Sequence, residues 1–129
     1  QQIIWGGNYF DLPPTRCVVC WNKQQPWKNF SQWEMAWTSF DYPAPMFTFC
    51  NRYKGKIHPT QKPVELYVWC LNRFGKQGDK ILDTHLGSGS IAIACHNLGF
   101  DLDGYELDVD YYEAASKRLK EHQRQLKLF

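Results

Sequence analysis

The chain has 129 residues, enough for one domain, and 43% of them are apolar, which suffices to fill a core. No run approaches the roughly 18 apolar residues of a membrane helix, and no segment has the pattern of a signal peptide, so we expect no membrane partner. The five cysteines are odd in number and unevenly spaced, which argues against a disulfide framework and fits a reducing cytoplasm. The net charge is only +2, but residues 101–113 carry six acids and no bases, whereas residues 51–62 carry four bases and no acids. Such separate acidic and basic segments suit a protein that contacts nucleic acid.

The N-terminal half of the sequence predicts short, aromatic-rich strands separated by Pro, Asn and Asp residues. Residues 1–10 predict the end of a strand and a turn, and strands are predicted at residues 16–22, 34–40 and 46–50. Residues 51–62 follow as a basic, polar linker.

Two residue clusters in this half could have a functional role. Cys17 and Cys20 have the spacing of a zinc-binding pair, but residues three apart on a strand face opposite sides, so we predict buried thiols and no metal. The other cluster is predicted to belong to the core rather than to a base-stacking platform. It consists of Trp21, Trp27, Trp33 and Trp37.

The C-terminal half alternates helices and strands, which predicts an α/β fold. Pro63 suits the first position of a helix, and the last helix has a capping-box-like start at Asp110 with Glu113. The predicted elements are a helix at 64–74, a strand at 80–83, a helix at 91–98, a strand at 102–106 and a helix at 110–125. We therefore predict a parallel, Rossmann-like core that is extended by antiparallel strands from the N-terminal half. The basic residues after position 116 are interpreted as the solvated face of the last helix.

The segment from Asp83 to Asp108 has the features of a nucleoside-cofactor site. Gly87 and Gly89 let the backbone approach a ligand, the following helix offers free N–H groups, and Glu106 can bind ribose hydroxyls. The spacing of Gly87, Gly89 and Ala92 also satisfies the dinucleotide fingerprint, so an NAD-type protein is an alternative. However, the charge of Asp83 would repel a pyrophosphate, whereas it could pair with an ammonium group.

Three motifs together resemble the C-terminal half of a DNA amino-methyltransferase of the class whose cofactor motif follows its catalytic motif. They are His58-Pro59-Thr60-Gln61-Lys62-Pro63, Asp83-Thr84-His85-Leu86-Gly87-Ser88-Gly89-Ser90 and Gly104-Tyr105-Glu106-Leu107-Asp108. Residues 3–10 and 20–23 resemble the middle segment of the same family, so the resemblance covers nearly the whole chain. It implies S-adenosylmethionine as cofactor, double-stranded DNA as partner, and methylation of an exocyclic amino group, with adenine as the preferred base and cytosine as the alternative. It also implies a place in restriction–modification and a bacterial or phage cytoplasm.

The resemblance also implies which residues bind. His85 stands where the family commonly has an aromatic residue, and Lys62 is a candidate partner for the cofactor carboxylate. Asp108 could contact the adenine side of the cofactor or be a solvent-exposed turn residue. In the basic linker the residues implied in DNA binding are Arg52, Tyr53, Lys54 and Lys56. The residues implied in cofactor binding are His58, Thr60, Lys62, Asp83, His85, Leu86, Gly87, Ser88, Gly89, Ser90, Glu106, Leu107 and Asp108.

The family's catalytic Asp-Pro-Pro-Tyr motif is not present in this sequence. The runs that begin at Asp11 and Asp41 are only superficially similar, because neither has the acid, two prolines and aromatic residue in order. We therefore expect a single methyltransferase domain over residues 1–129 that lacks its catalytic segment, contains no catalytic residue and is inactive alone. Ile81 and Leu82 would then lie at an unpaired edge and favour a homodimer or a complementing N-terminal chain. The alternative is an inactive remnant that binds cofactor or DNA.

Overall fold

The chain divides after residue 52 into two units, Gln1–Arg52 and Tyr53–Phe129, each with its own sheet. The structure is a computed structural model, and it describes residues 1–52, residue 56 and residues 60–127. No helix in these ranges is long and apolar enough to cross a membrane.

The first unit is a four-stranded mixed sheet in the order β1-β3-β2-β4. Strand β3 is antiparallel to both β1 and β2, and β4 is parallel to β2. The predicted strands are confirmed, with their ends shifted by one or two residues. The bounds are β1 Ile3–Trp5, β2 Val18–Asn22, β3 Trp33–Thr38 and β4 Met46–Thr48, with a 3-10 turn at Gly7–Tyr9.

The alternation of side chains along β2 builds the core of the first unit. Cys17, Val19 and Trp21 are buried, whereas Cys20 on the opposite face is only half-buried. The indole of Trp21 is 1% exposed, and its Nε1 donates to the carbonyl oxygen of Phe49 at 3.0 Å, which satisfies its polar group. The two thiols of the zinc-like pair therefore face different environments.

The second unit contains a βαβ crossover and two flanking helices. Strands β5 and β6 are parallel, with Lys80 opposite Asp101 and Asp83 opposite Gly104, and α2 connects them. The bounds are α1 Val64–Phe74, β5 Lys80–Asp83, α2 Ser90–Leu98, β6 Asp101–Gly104 and α3 Val109–Lys127. The alternating pattern predicted for this half is confirmed, but β6 ends two residues before Glu106.

The core of the second unit lies between α1, α2 and one face of the two strands. Leu71, Ile91, Ala94 and Cys95 form its buried centre, against which Ile81 and other half-buried apolar residues pack. The opposite face of β5 and β6 is open: Leu82 is 65% exposed, and an ion pair of 2.9 Å joins the Lys80 ammonium to the Asp103 carboxylate. Within the described residues β5 pairs only with β6, so its other edge is free.

Candidate cofactor site

The carboxyl ends of β5 and β6 continue side by side beyond the sheet. Tyr105 donates its N–H to the carbonyl oxygen of Asp83 at 2.9 Å, and Leu86 donates its N–H to the carbonyl oxygen of Tyr105 at 2.8 Å. These two hydrogen bonds hold the loop after β5 against the segment after β6. Because ligands of open α/β sheets bind outside the carboxyl ends of the strands, this edge is where a cofactor is expected.

The glycine loop (residues 84–89) has a backbone that only glycines adopt readily. Gly87 and Gly89 have φ values of +57° and +77°, and the N–H of Gly89 closes a turn by donating to the carbonyl oxygen of Leu86 at 3.0 Å. A Cβ atom at Gly89 would lie 3.0 Å from the Cβ of Ala115 in α3. Gly89 therefore also allows the start of α2 to approach α3 closely.

Three acids predicted at this edge have different environments. Asp83 is half-buried, and its Oδ1 accepts the N–H of His85 at 2.9 Å, which orients the start of the loop. Glu106 is half-buried and forms no hydrogen bond or ion pair with a residue that the structure describes, so its carboxylate can accept from a ligand. The charge of Asp83, together with burial as the larger cause, raises the pKa of the Cys95 thiol to about 11. Cys95 is therefore a neutral thiol at pH 7.

The third acid, Asp108, caps helix α3. Its Oδ1 accepts the N–H of Tyr111 at 3.0 Å, and its carbonyl oxygen accepts the N–H of Tyr112 at 2.9 Å. Helix α3 therefore begins at Val109, one residue before the predicted start, and the predicted cap at Asp110 is wrong, because Asp108 already satisfies the first free N–H groups. Asp108 is thus an exposed capping residue, and its contact with the adenine side of a cofactor stays a prediction.

Arg118 is a residue of the site that the sequence did not indicate. Its Nη1 donates to the carbonyl oxygen of Ser88 at 3.2 Å and to the Oγ of Ser90 at 2.8 Å. Both serines are buried, and their hydroxyl oxygens lie 3.2 Å apart. The interpretation of the C-terminal basic residues as a solvated face is wrong for Arg118, which ties α3 to the glycine loop. The sequence feature that could have identified Arg118 is its position three residues after the inward-facing Ala115, on the same side of the helix.

The structure describes four more of the predicted cofactor-binding residues and gives the exposure of each. His85 is exposed, with its Nδ1 2.9 Å from the Thr84 hydroxyl, and Leu107 is 100% exposed at the same edge. Thr60 is exposed and Lys62 half-buried just before α1. His58 lies outside the described residues.

Of the predicted DNA-binding residues, Arg52 and Lys56 are described and both are exposed. The guanidinium carbon of Arg52 lies 5.8 Å from the ring centroid of Trp27. Tyr53 and Lys54 lie outside the described residues. No group of three or more His, Cys, Asp or Glu side chains that could hold a metal occurs in the part of the chain that the structure describes.

Comparison with known proteins agrees with this geometry. Residues 19–117 match the family model described as DNA methylase. The type II methyltransferase M.HpaI of Haemophilus parainfluenzae is 37% identical over 71 residues, which are 55% of this chain and 22% of that protein. The type II methyltransferase M2.DpnII of Streptococcus pneumoniae is 38% identical over 70 residues, which are 54% of this chain and 26% of that protein. The chain thus spans about a quarter of the length of these curated relatives.

Solved structures show the same fold. The crystal structure of the M1.HpyAVI–SAM complex superposes with a TM-score of 0.62 at 26% identity, covering 79% of this chain and 60% of that one. TTHA0409 from Thermus thermophilus, complexed with S-adenosyl-L-methionine, gives a TM-score of 0.57 at 21% identity, covering 81% of this chain and 52% of that one.

Proposed function

The chain belongs to the DNA methylase family, and on that premise we propose that it forms the cofactor-binding part of an enzyme that methylates an exocyclic amino group, that of adenine, in DNA. The observation that carries the proposal is the 2.8 Å hydrogen bond from the Leu86 N–H to the Tyr105 carbonyl oxygen. It brings the glycine loop beside the segment that contains Glu106, whose carboxylate has no partner among the residues that the structure describes. A glycine loop and an acid at adjacent strand ends suit a ligand with a ribose and a charged tail.

S-adenosylmethionine fits the chemistry of these residues. The Glu106 carboxylate can accept hydrogen bonds from both ribose hydroxyls, and the Asp83 carboxylate can attract the cofactor's ammonium group. The glycine loop would lie against the methionine part, with the exposed imidazole ring of His85 and the exposed apolar side chain of Leu107 beside it. The complex of M1.HpyAVI with SAM supports this choice of ligand.

The residues of this chain bind and orient, and none is assigned to the chemical step. When bound, the cofactor supplies a sulfonium-activated methyl group, and the protein aligns it with the amino nitrogen. The target base has to leave the duplex to reach the methyl group. Asp11 and Asp41 are both exposed, and Asp41 pairs with Arg16 at 3.6 Å, so neither has the setting of a proton acceptor. We assign that role to an Asp-Pro-Pro-Tyr segment outside these 129 residues.

The proposed DNA substrate suggests which residues contact DNA, which chains assemble with this one and in which compartment the enzyme works. Arg52 and Lys56 are exposed cations suited to phosphate contact, and the assignments of Tyr53 and Lys54 remain sequence predictions. A complementing chain that carries the motif would supply the acid that this chain lacks, whereas a homodimer would only cover the edge of β5 that is free among the described residues. We place the enzyme in the cytoplasm of bacteria or phage-infected bacteria, where its DNA is, and in restriction–modification because both relatives are named type II methyltransferases.

Calorimetric titration of the purified protein tests the cofactor assignment. We expect S-adenosylmethionine to bind and NAD not to bind. Replacing Glu106 with Ala should weaken binding roughly 10- to 150-fold, because a charge-assisted hydrogen bond is worth about 1.5–3 kcal/mol. The matched control is Asp101→Ala, an exposed acid at the opposite end of β6, which should leave the affinity unchanged. Preference for NAD, or wild-type affinity in Glu106→Ala, would refute the assignment.

A further inference from the structure

The connection between β2 and β3, together with the first residue of β3, exposes three large aromatic side chains within seven residues. Trp27 is 53% exposed, Phe30 66% and Trp33 54%. None of the three rings stacks on another ring among the residues that the structure describes. The prediction that Trp27 and Trp33 belong to the core is therefore wrong, whereas it is confirmed for Trp21. Three large exposed aromatic side chains within one short segment make this segment a candidate binding surface.

The aromatic loop (residues 23–33) is held by its own hydrogen bonds. The N–H of Lys23 donates to the carbonyl oxygen of Gln32 at 3.0 Å, and Gln25 Nε2 donates to the carbonyl oxygen of Ser31 at 2.9 Å. Asn51 adds two bonds from outside the loop, to the carbonyl oxygen of Lys23 at 3.0 Å and to Gln25 Oε1 at 3.3 Å. The rings are thus presented by an ordered backbone, which lowers the entropy lost when a ligand binds.

The charge around these rings is positive. No acid occurs between Asp11 and Glu34 in the sequence. Lys28 lies in the loop and pairs with no acid in the described residues, and the guanidinium of Arg52 lies over Trp27 at 5.8 Å. Aromatic rings interleaved with unpaired cations are the combination that binds single-stranded nucleic acid, in which rings stack on bases and cations face phosphates.

We propose that the aromatic loop and Arg52 form a DNA-contact surface that stacks on bases not paired in the duplex. Trp27, Phe30 and Trp33 supply the stacking surfaces, and Lys28 and Arg52 attract the phosphates. This inference rests on the proposed function for its partner, because an enzyme that takes a base out of the duplex works on DNA with unpaired bases. It goes beyond that function by assigning DNA contact to a loop remote in sequence from the cofactor motifs.

Fluorescence anisotropy with labelled oligonucleotides tests the surface on the full chain. We expect tighter binding to a single strand, or to a duplex with an abasic site, than to an intact duplex. Trp27→Ala and Trp33→Ala should each weaken single-strand binding about 5- to 150-fold, the loss expected for one stacked base, without changing the salt dependence. Lys28→Gln and Arg52→Gln should instead each reduce the slope of log K against log salt by about 0.7. The control is Tyr42→Ala, an aromatic residue that is 45% exposed outside the loop and stacks on Phe40 at 5.7 Å.

The possible outcomes separate this inference from the proposed function. If the wild type binds S-adenosylmethionine and DNA but the tryptophan variants bind DNA as the wild type does, the loop inference fails and the proposed function stands. If the wild type binds S-adenosylmethionine but no DNA, both fail. If the variants change the sedimentation of the protein and not its DNA affinity, the loop is a protein interface and the inference fails. Thermal melting of each variant excludes unfolding as the cause of a loss.

Discussion

Arg118 holds the glycine loop and the start of α2 from a position in helix α3. The guanidinium reaches three acceptors on Ser88 and Ser90, and both serines are buried. Buried polar groups need partners, because an unsatisfied hydroxyl or carbonyl costs about 1–3 kcal/mol. The conformation of the glycine loop is therefore stabilised by a side chain thirty residues later in the sequence.

Replacing Arg118 with Met should weaken S-adenosylmethionine binding about tenfold, because two buried serines lose their donor and the loop relaxes. Arg118→Lys should restore part of the affinity, since an ammonium group can still reach one acceptor. Calorimetry measures both affinities, and amide hydrogen exchange at residues 87–90 should speed up in the Met variant. Arg124→Met, at an exposed position of the same helix, is the control. Unchanged affinity in Arg118→Met would show that the loop keeps its shape without the guanidinium.

At the scale of the elements, the βαβ unit was predicted well because its strands and helix ends are marked by residues close together in the sequence. Ile81 and Leu82 are two β-forming apolar residues between charged ones, and Gly99 ends α2 as predicted, with a φ of +77°. What failed depends on tertiary contacts. Periodicity alone does not show that Arg118 faces the loop, or that Trp27 lies outside the core. The cap at Asp108 was missed because two acids at neighbouring positions satisfy similar patterns.

The glycines at the two ends of α2, Gly89 and Gly99, allow the cost of backbone strain to be measured separately from the cost of a packing clash. Gly89 and Gly99 both have a φ of +77°, but a Cβ would meet Ala115 at 3.0 Å only at Gly89 and nothing within 4 Å at Gly99. Gly99→Ala should therefore cost about 1–2 kcal/mol of unfolding free energy, the price of a left-handed non-glycine residue. Gly89→Ala should cost more, because α2 and α3 must also separate. Urea unfolding followed by circular dichroism measures both, and only Gly89→Ala should also lose cofactor affinity. Equal losses would mean that α3 moves aside freely.

The two-stranded sheet of the second unit has one solvent-exposed face and, among the described residues, one unpaired edge. Leu82 is 65% exposed, and β5 pairs with no described strand other than β6. A free edge next to an exposed apolar side chain favours pairing with another strand. The chain spans 22% of M.HpaI and 26% of M2.DpnII, which leaves most of each of these relatives unmatched. We infer that a strand from a further segment, or from a second copy, pairs with β5.

Methyl transfer should therefore require more than these 129 residues. We expect the purified chain to transfer no labelled methyl group from S-adenosylmethionine to duplex DNA, because it has no Asp-Pro-Pro-Tyr motif to accept the amino proton. Adding a segment with that motif, fused upstream or supplied in trans, should restore transfer. The same segment with its Asp replaced by Ala is the control: it should still pair with β5 and raise the melting temperature, but restore no activity. If residues 1–129 alone transferred methyl groups efficiently, the proton acceptor would lie within this chain. Asp11 and Asp41 would then have to be tested first, despite their exposed settings.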